Sequence, residues 1–271
     1  MAIEEKELRG LIKTNVAMSI EAFFKNKEVT VTHVLDTIFP KERRIRSLIG
    51  GLETSIGTTV WEPMARLFAE QNDFEILPVE SLKESVPVIP EELSHFIKSF
   101  SDRKEADMTL THQDYFDELK GFIKENKIEP SKYKKMPKGE GVDVWLKKDG
   151  CEYLIDIKTT QINAGGGPKF SNNMLNWYAY RALEGAADVR CYLAFPFNPH
   201  KTDFWNKEKG KVSPLIPSEE AVVGDEFWDM LLGKEQSTKL IVDAFKELGA
   251  ENFGEKFADI FEVPEEKVAA S

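Results

Sequence analysis

Basic residues are in deficit, cysteine is scarce and long apolar runs are missing from this 271-residue chain. The 36 lysines and arginines face 47 aspartates and glutamates, giving a formal net charge of −11. That balance excludes a protein that coats nucleic acid indiscriminately. Two cysteines, Cys151 and Cys191, are too few for a structural zinc site or a disulfide framework. They are expected to serve as small apolar residues in a reducing cytoplasm. No apolar stretch approaches the ~18–20 residues a membrane span needs. The start, MAIEEKELRG, is polar and acidic, unlike a signal peptide. His33, His95, His112 and His200 are scattered without ligand spacing, and no Ser-His-Asp or Cys-His arrangement can be read. Gly165-Gly166-Gly167 lacks the spacing and the terminal Lys-Ser/Thr pair of a phosphate-binding loop, so no nucleotide cofactor is expected.

What is present is a globular composition, 41% hydrophobic and 31% charged, with mean hydropathy −0.38. Charge is unevenly spread. Segment 61–130 is net −8 and segment 213–271 net −9, whereas 131–170 is net +3. A polyanion could be held at the basic middle and repelled at the flanks, although a solvated lysine-rich face would give the same pattern.

Apolar spacing predicts a helix over 3–26 and another from Thr30 to about Pro40. A further helix is predicted from Thr59, with Glu62 in its first turn, and Gly50-Gly51 breaks or joins what precedes it. Residues 77–90, with three prolines, read as an extended connection, and helices follow near 91–101 and 112–127. The period then changes. Val142, Val144 and Leu146 alternate with Asp143 and Trp145, Asp149-Gly150 signals a tight hairpin, and Tyr153, Ile155 and Ile157 alternate with Leu154, Asp156 and Lys158. A helix over 170–183 and a buried strand over 190–197 follow, with helices again from about Gly224. The fold class is α/β: a small mixed sheet from 141–197 flanked by helices, with an added helical part. The expected division is 1–54 helical, 55–212 catalytic core, and 213–271 helical.

Chemistry concentrates on the hairpin. Side chains two apart on a strand share a face, with Cα atoms roughly 6.6 Å apart, so Asp156 and Lys158 project together. The Asp149-Gly150 turn folds Asp143 back beside Asp156. Two carboxylates beside one lysine suit a hard divalent cation that takes few protein oxygens and fills its remaining positions with water and phosphate. A cross-strand salt bridge would produce the same triplet. The polar run Thr159-Thr160-Gln161 and the glycine loop after it favour a ligand site.

Gly141-Val142-Asp143, the turn, and Tyr153-Leu154-Ile155-Asp156-Ile157-Lys158 resemble the PD-(D/E)XK nuclease superfamily, and more narrowly type II restriction endonucleases. Val142 stands where the motif has proline, which contributes no ligand. The runs 156–161 and 177–181 resemble enzymes that cut interrupted GGNCC-type palindromes. The resemblance implies a restriction-endonuclease-like core and Mg²⁺-dependent cleavage of double-stranded DNA in a prokaryotic cytoplasm. It implies Asp143 and Asp156 as metal ligands and Lys158 as catalytic partner. Glu62 is either a further ligand, as an upstream helix often supplies, or an acid stabilising a helix N-terminus.

Lys169, Ser171, Asn172, Asn173 and Arg181 are expected to contact DNA from the glycine loop and its helix, and Arg43 and Arg44 to clamp phosphates. Trp177 is expected in the core. A palindromic substrate implies a symmetric homodimer, with the apolar C-terminal helices at the subunit contact. A repair or recombination nuclease of the same fold, or a DNA-binding protein with a vestigial site, are the alternatives.

Overall fold

The computed structural model describes residues 4–25, 27–29, 33–159 and 162–263. Along the chain come α1 (Glu5–Phe24), a 3₁₀ turn (Val34–Thr37), α2 (Pro40–Ile56), a π-helical turn (Gly57–Trp61), α3 (Glu62–Gln71), β1 (Glu75–Ile76), α4 (Val79–Glu84) and β2 (Val86–Pro87). Next are α5 (Glu91–Ala106), α6 (His112–Glu125), β3 (Tyr133–Lys134), β4 (Val144–Lys148), β5 (Cys151–Ile157), α7 (Gly167–Leu183) and β6 (Asp188–Phe195). The chain ends with α8 (Trp205–Val212), β7 (Ala221–Val223), α9 (Asp225–Leu232), α10 (Ser237–Ala250), a 3₁₀ turn (Phe253–Phe257) and α11 (Ala258–Phe261). Among the described residues, no helix is long and apolar enough to cross a membrane.

Two compact units result: a helical unit of residues 1–64 and 236–271, and an α/β unit of residues 65–235. The boundaries expected at 54 and 212 move. Strand β7 pairs with β6, so the chain stays in the α/β unit past 212. α10 then returns to α1, where Arg9 meets Glu247 at 3.1 Å and Lys13 pairs with Glu251. The helix expected from Thr30 to Pro40 shrinks to the 3₁₀ turn; Thr30, Val31, Ile3 and Asn26 lie outside the described residues. Gly50-Gly51 does not break the chain's helical run, which passes through a π-helical turn into α3. Glu62 is the first residue of α3 but continues the helical run, its N–H bonding the Gly57 carbonyl. The stretch 77–90 is not merely extended, since Val79–Glu84 forms α4.

In the α/β unit the sheet order is β1-β4-β5-β6-β7. β1, β4 and β5 pair antiparallel; β5, β6 and β7 pair parallel. Positive φ at Asp149 (50°) and Gly150 (82°) makes the type I′ turn that matches strand twist and sets the register Val144↔Ile155. One sheet face carries Trp145, Leu154, Cys191, Leu193 and Phe195 into a core shared with Phe100, Tyr115 and Phe116 of α5 and α6 and Leu175 and Tyr178 of α7. On the other face Phe74 packs edge-on against Tyr153 at 5.2 Å. α6 starts with a reciprocal cap between Thr111 and Asp114. Gly167, opening α7, admits no side chain: a Cβ there would lie 2.0 Å from the Ser213 carbonyl oxygen.

Candidate active site

The paired register ends at Val144↔Ile155, and Asp143, the residue before Val144, lies close enough to Asp156 for the two carboxylates to interact. The Asp143 N–H donates to the Ile155 carbonyl at 2.9 Å. Asp143 is held from three directions. Besides that N–H bond, its Oδ2 accepts the Ile157 N–H at 2.8 Å, and its carbonyl accepts Arg66 Nη2 at 2.9 Å. Lys158 Nζ pairs with Asp156 Oδ1 and sits 5.0 Å over the Phe170 ring of α7.

Asp156 is 3% exposed while Lys158 reaches toward solvent, so the acid sits at the floor and the amine at the mouth. Burial pushes the Asp156 carboxyl up; the Lys158 ammonium pulls it back and Asp143 raises it again, to about 6. Crowded carboxylates with few protons are relieved by a divalent cation. Magnesium, with one or two carboxylates, waters and substrate phosphate, fits this donor set. Among the described residues no three or more His, Cys, Asp or Glu side chains converge on one point. Glu62 belongs with the helical unit, beside the π-helical turn. Thr160 and Gln161 lie outside the described residues.

Several expected DNA contacts are turned inward. Ser171, 2% exposed, faces His112 Nε2 at 3.3 Å. Asn173 Nδ2 donates to the Gly139 carbonyl at 2.9 Å, and Trp177 Nε1 donates to the Glu140 carbonyl at 2.6 Å. These buried groups of α7 pin the loop that leads into Asp143 instead of facing a ligand. Arg181 forks onto Glu152 at 2.8 and 3.0 Å, and Glu152 also accepts Trp145 Nε1. Ser171, Asn173 and Arg181 are thus corrected from surface contacts to internal ones. Arg43 is engaged by Asp36 and Arg44 by the Ile260 carbonyl. Lys169 and Asn172 stay exposed, the latter accepting Ser101 Oγ at 2.8 Å. Exposed Lys132, Lys134, Lys135 and Lys138 precede Asp143 and were not singled out by motif; the net positive charge of 131–170 was their signal.

A second polar cluster went unread because its members are far apart in sequence. Lys104, buried, donates to Glu220 Oε1 at 2.9 Å and to the Leu110 carbonyl. Glu220 also accepts the N–H groups of His112 and Ile216. Burial first, then Lys104, holds His112 well below its usual range. Ser171, His112 and Glu220 stand in nucleophile order, but His112 Nδ1 is 3.8 Å from Glu220, whose oxygens are already taken. With Ser171 buried, this is an interior tie between α5, α6 and the approach to β7, not a nucleophile.

A family model described as type II restriction endonuclease, HinfI, matches residues 4–249 of the chain. No curated protein and no solved structure matches it.

Proposed function

Because the chain belongs to the HinfI family of type II restriction endonucleases, and is by that membership a site-specific nuclease acting on DNA, we propose a specific mechanism: Mg²⁺-dependent hydrolysis at a palindromic duplex site by Asp143, Asp156 and Lys158. The observation that carries this is the convergence of those three side chains at one end of the β4–β5 hairpin. Asp143 and Asp156 would hold the cation. When bound, it would polarise a phosphoryl oxygen and lower the pKa of a coordinated water. Lys158, paired with Asp156, orients the attacking water, assists its deprotonation and stabilises negative charge as the new P–O bond forms and one ester P–O bond breaks. Arg66 fixes the Asp143 backbone and so its carboxylate. Glu62 lies in the helical unit, beside a π-helical turn, and is not part of the proposed ligand pair.

For DNA, exposed Lys169, Asn172 and the lysines of 132–138 are proposed to track the phosphate backbone. A two-fold symmetric site calls for a homodimer with one hairpin per strand. The finer reading, a GGNCC-type interrupted palindrome, rests on runs whose Trp177, Tyr178, Tyr180 and Arg181 are turned into the interior. Sequencing the ends of the fragments decides it.

The test is incubation with plasmid and phage DNA plus Mg²⁺. Discrete fragments support restriction, smears or nicks a repair-type nuclease, and intact but retained DNA a vestigial site. Ca²⁺ should support specific binding without turnover, since it accepts the same oxygens but activates water poorly. Rapid cleavage in Ca²⁺ would overturn the metal role.

A further inference from the structure

Eleven large apolar side chains are exposed among the described residues, and nine of them lie in the helical unit. Six fall between residues 34 and 49: Val34 (79% exposed), Leu35, Ile38 (65%), Phe39, Ile45 and Ile49. Apolar exposure this concentrated marks an interaction surface. On α2, Ile45, Arg46, Ile49, Gly50 and Glu53 fall on one helical face, while Leu48 turns inward. All five are exposed. Arg43 and Arg44 are engaged within the chain, but Arg46 and Glu53 form no ion pair with a described residue.

Gly50 also lacks an explanation within the chain. A Cβ there would meet nothing within 4 Å, and glycine inside a helix costs roughly 0.5–1 kcal/mol relative to alanine. Close approach by another backbone would account for it.

We propose that this face docks a second copy of the chain, α2 against α2, antiparallel about a two-fold axis through Ile49 and Gly50. The inference rests on the homodimer reading above and names its surface. Arg46 and Glu53 are seven residues apart, about two turns, and lie equally far on either side of that axis. Antiparallel pairing therefore sets Arg46 against the partner's Glu53, twice by symmetry, and Ile49 against the partner's Gly50. Opposite charges at the ends and apolar and small residues at the crossing make the face complementary to itself, as an isologous contact requires. A stable dimer buries about 1,200–2,000 Å² in total, more than two crossing helices supply. The exposed apolar stretch 34–39, packed beside α2, would add to the contact.

Sedimentation of the full chain at micromolar concentration tests this. The wild type should run as a dimer. Arg46→Glu and Glu53→Arg, each setting like charges together twice, should each weaken the dimer at least about tenfold. The double reversal should restore it, with circular dichroism unchanged throughout. A monomeric wild type, indifferent single reversals, or a double reversal without recovery would each overturn the proposal. Mass is read independently of cleavage. A dimer without nuclease activity would sink the functional reading alone, and an active monomer would sink the docking face alone.

Discussion

Two of the lysine–carboxylate pairs in the α/β unit, Lys104–Glu220 and Lys158–Asp156, are built to opposite ends. At Lys104–Glu220 every charge is closed off: Glu220 accepts from Lys104, His112 and Ile216. At Lys158–Asp156 a second carboxylate, Asp143, crowds the first, and the lysine leans toward solvent. The first pair is satisfied without a ligand and ties elements together. The second is unfavourable until a cation arrives. The difference teaches that burial and charge alone do not mark a site; what marks it is a set of donors and acceptors the chain leaves unbalanced.

The largest contrast should appear on removing charges. Asp143→Ala, Asp156→Ala or Lys158→Ala should each lower cleavage by about 10²–10³ or more while leaving the fold and DNA retention intact. Glu220→Ala strands a buried lysine and should cost about 3–5 kcal/mol of stability, with kcat per folded molecule unchanged. Measuring thermal unfolding and single-turnover cleavage on the same variants separates the two. A hairpin variant that cuts normally, or a Glu220 variant that folds normally, would erase the distinction.

Next in size is a stabilising effect. Folding raises the Asp156 carboxyl from 3.8 to about 6, so the folded chain binds that proton more tightly than the unfolded one. This contribution is favourable below pH 4 and lost as pH rises through 6. Above that, holding Asp156 ionised costs about 1–3 kcal/mol in the metal-free protein. Asp156→Asn should therefore raise the melting temperature at pH 7 without metal while abolishing cleavage. An unchanged or lower value would argue that Lys158 offsets the whole cost.

The same proton competes with the metal. Mg²⁺ binding, followed by calorimetry, should weaken as pH falls below about 6, with proton release on binding. His112 acts with the opposite sign: its proton affinity falls on folding, so its contribution to stability is lost as pH goes below 6.5. Acid should thus loosen the interior tie while relieving the hairpin.

The smallest effect is expected at Arg66. Arg66→Ala should lower kcat about tenfold through loss of Asp143 positioning, with Mg²⁺ concentration dependence shifted and Arg66→Lys recovering part of it. A shift in neither would remove Arg66 from the site.

The hairpin was legible because its signals are local. Alternation of Val142, Val144 and Leu146, the Asp149-Gly150 turn and the Asp-x-Lys spacing all fall within one short span. β1 and β7, two and three residues long, offered no periodicity to read, and with them went the true boundaries of the α/β unit. The Lys104–Glu220 pair spans 116 positions, and nothing local announces it. Ser171 and Asn173 looked like groove contacts because polar residues after a flexible loop usually face out. Here they face the 139–140 loop and His112, since α7 is covered on several sides.

The shortness of β1 and β7 has a consequence for behaviour in a crowded cell. A sheet rim is a template on which foreign strands, or other copies of the same chain, can add. In this sheet the strands taper from seven and eight residues at β5 and β6 to two and three at the rims. Where β7 stops short, the next amide along the rim, that of Cys191, is taken by the Tyr178 hydroxyl at 3.1 Å. Little unpaired backbone is left to recruit a strand, so this apolar, two-sided sheet is guarded against fibrillar growth by its own geometry.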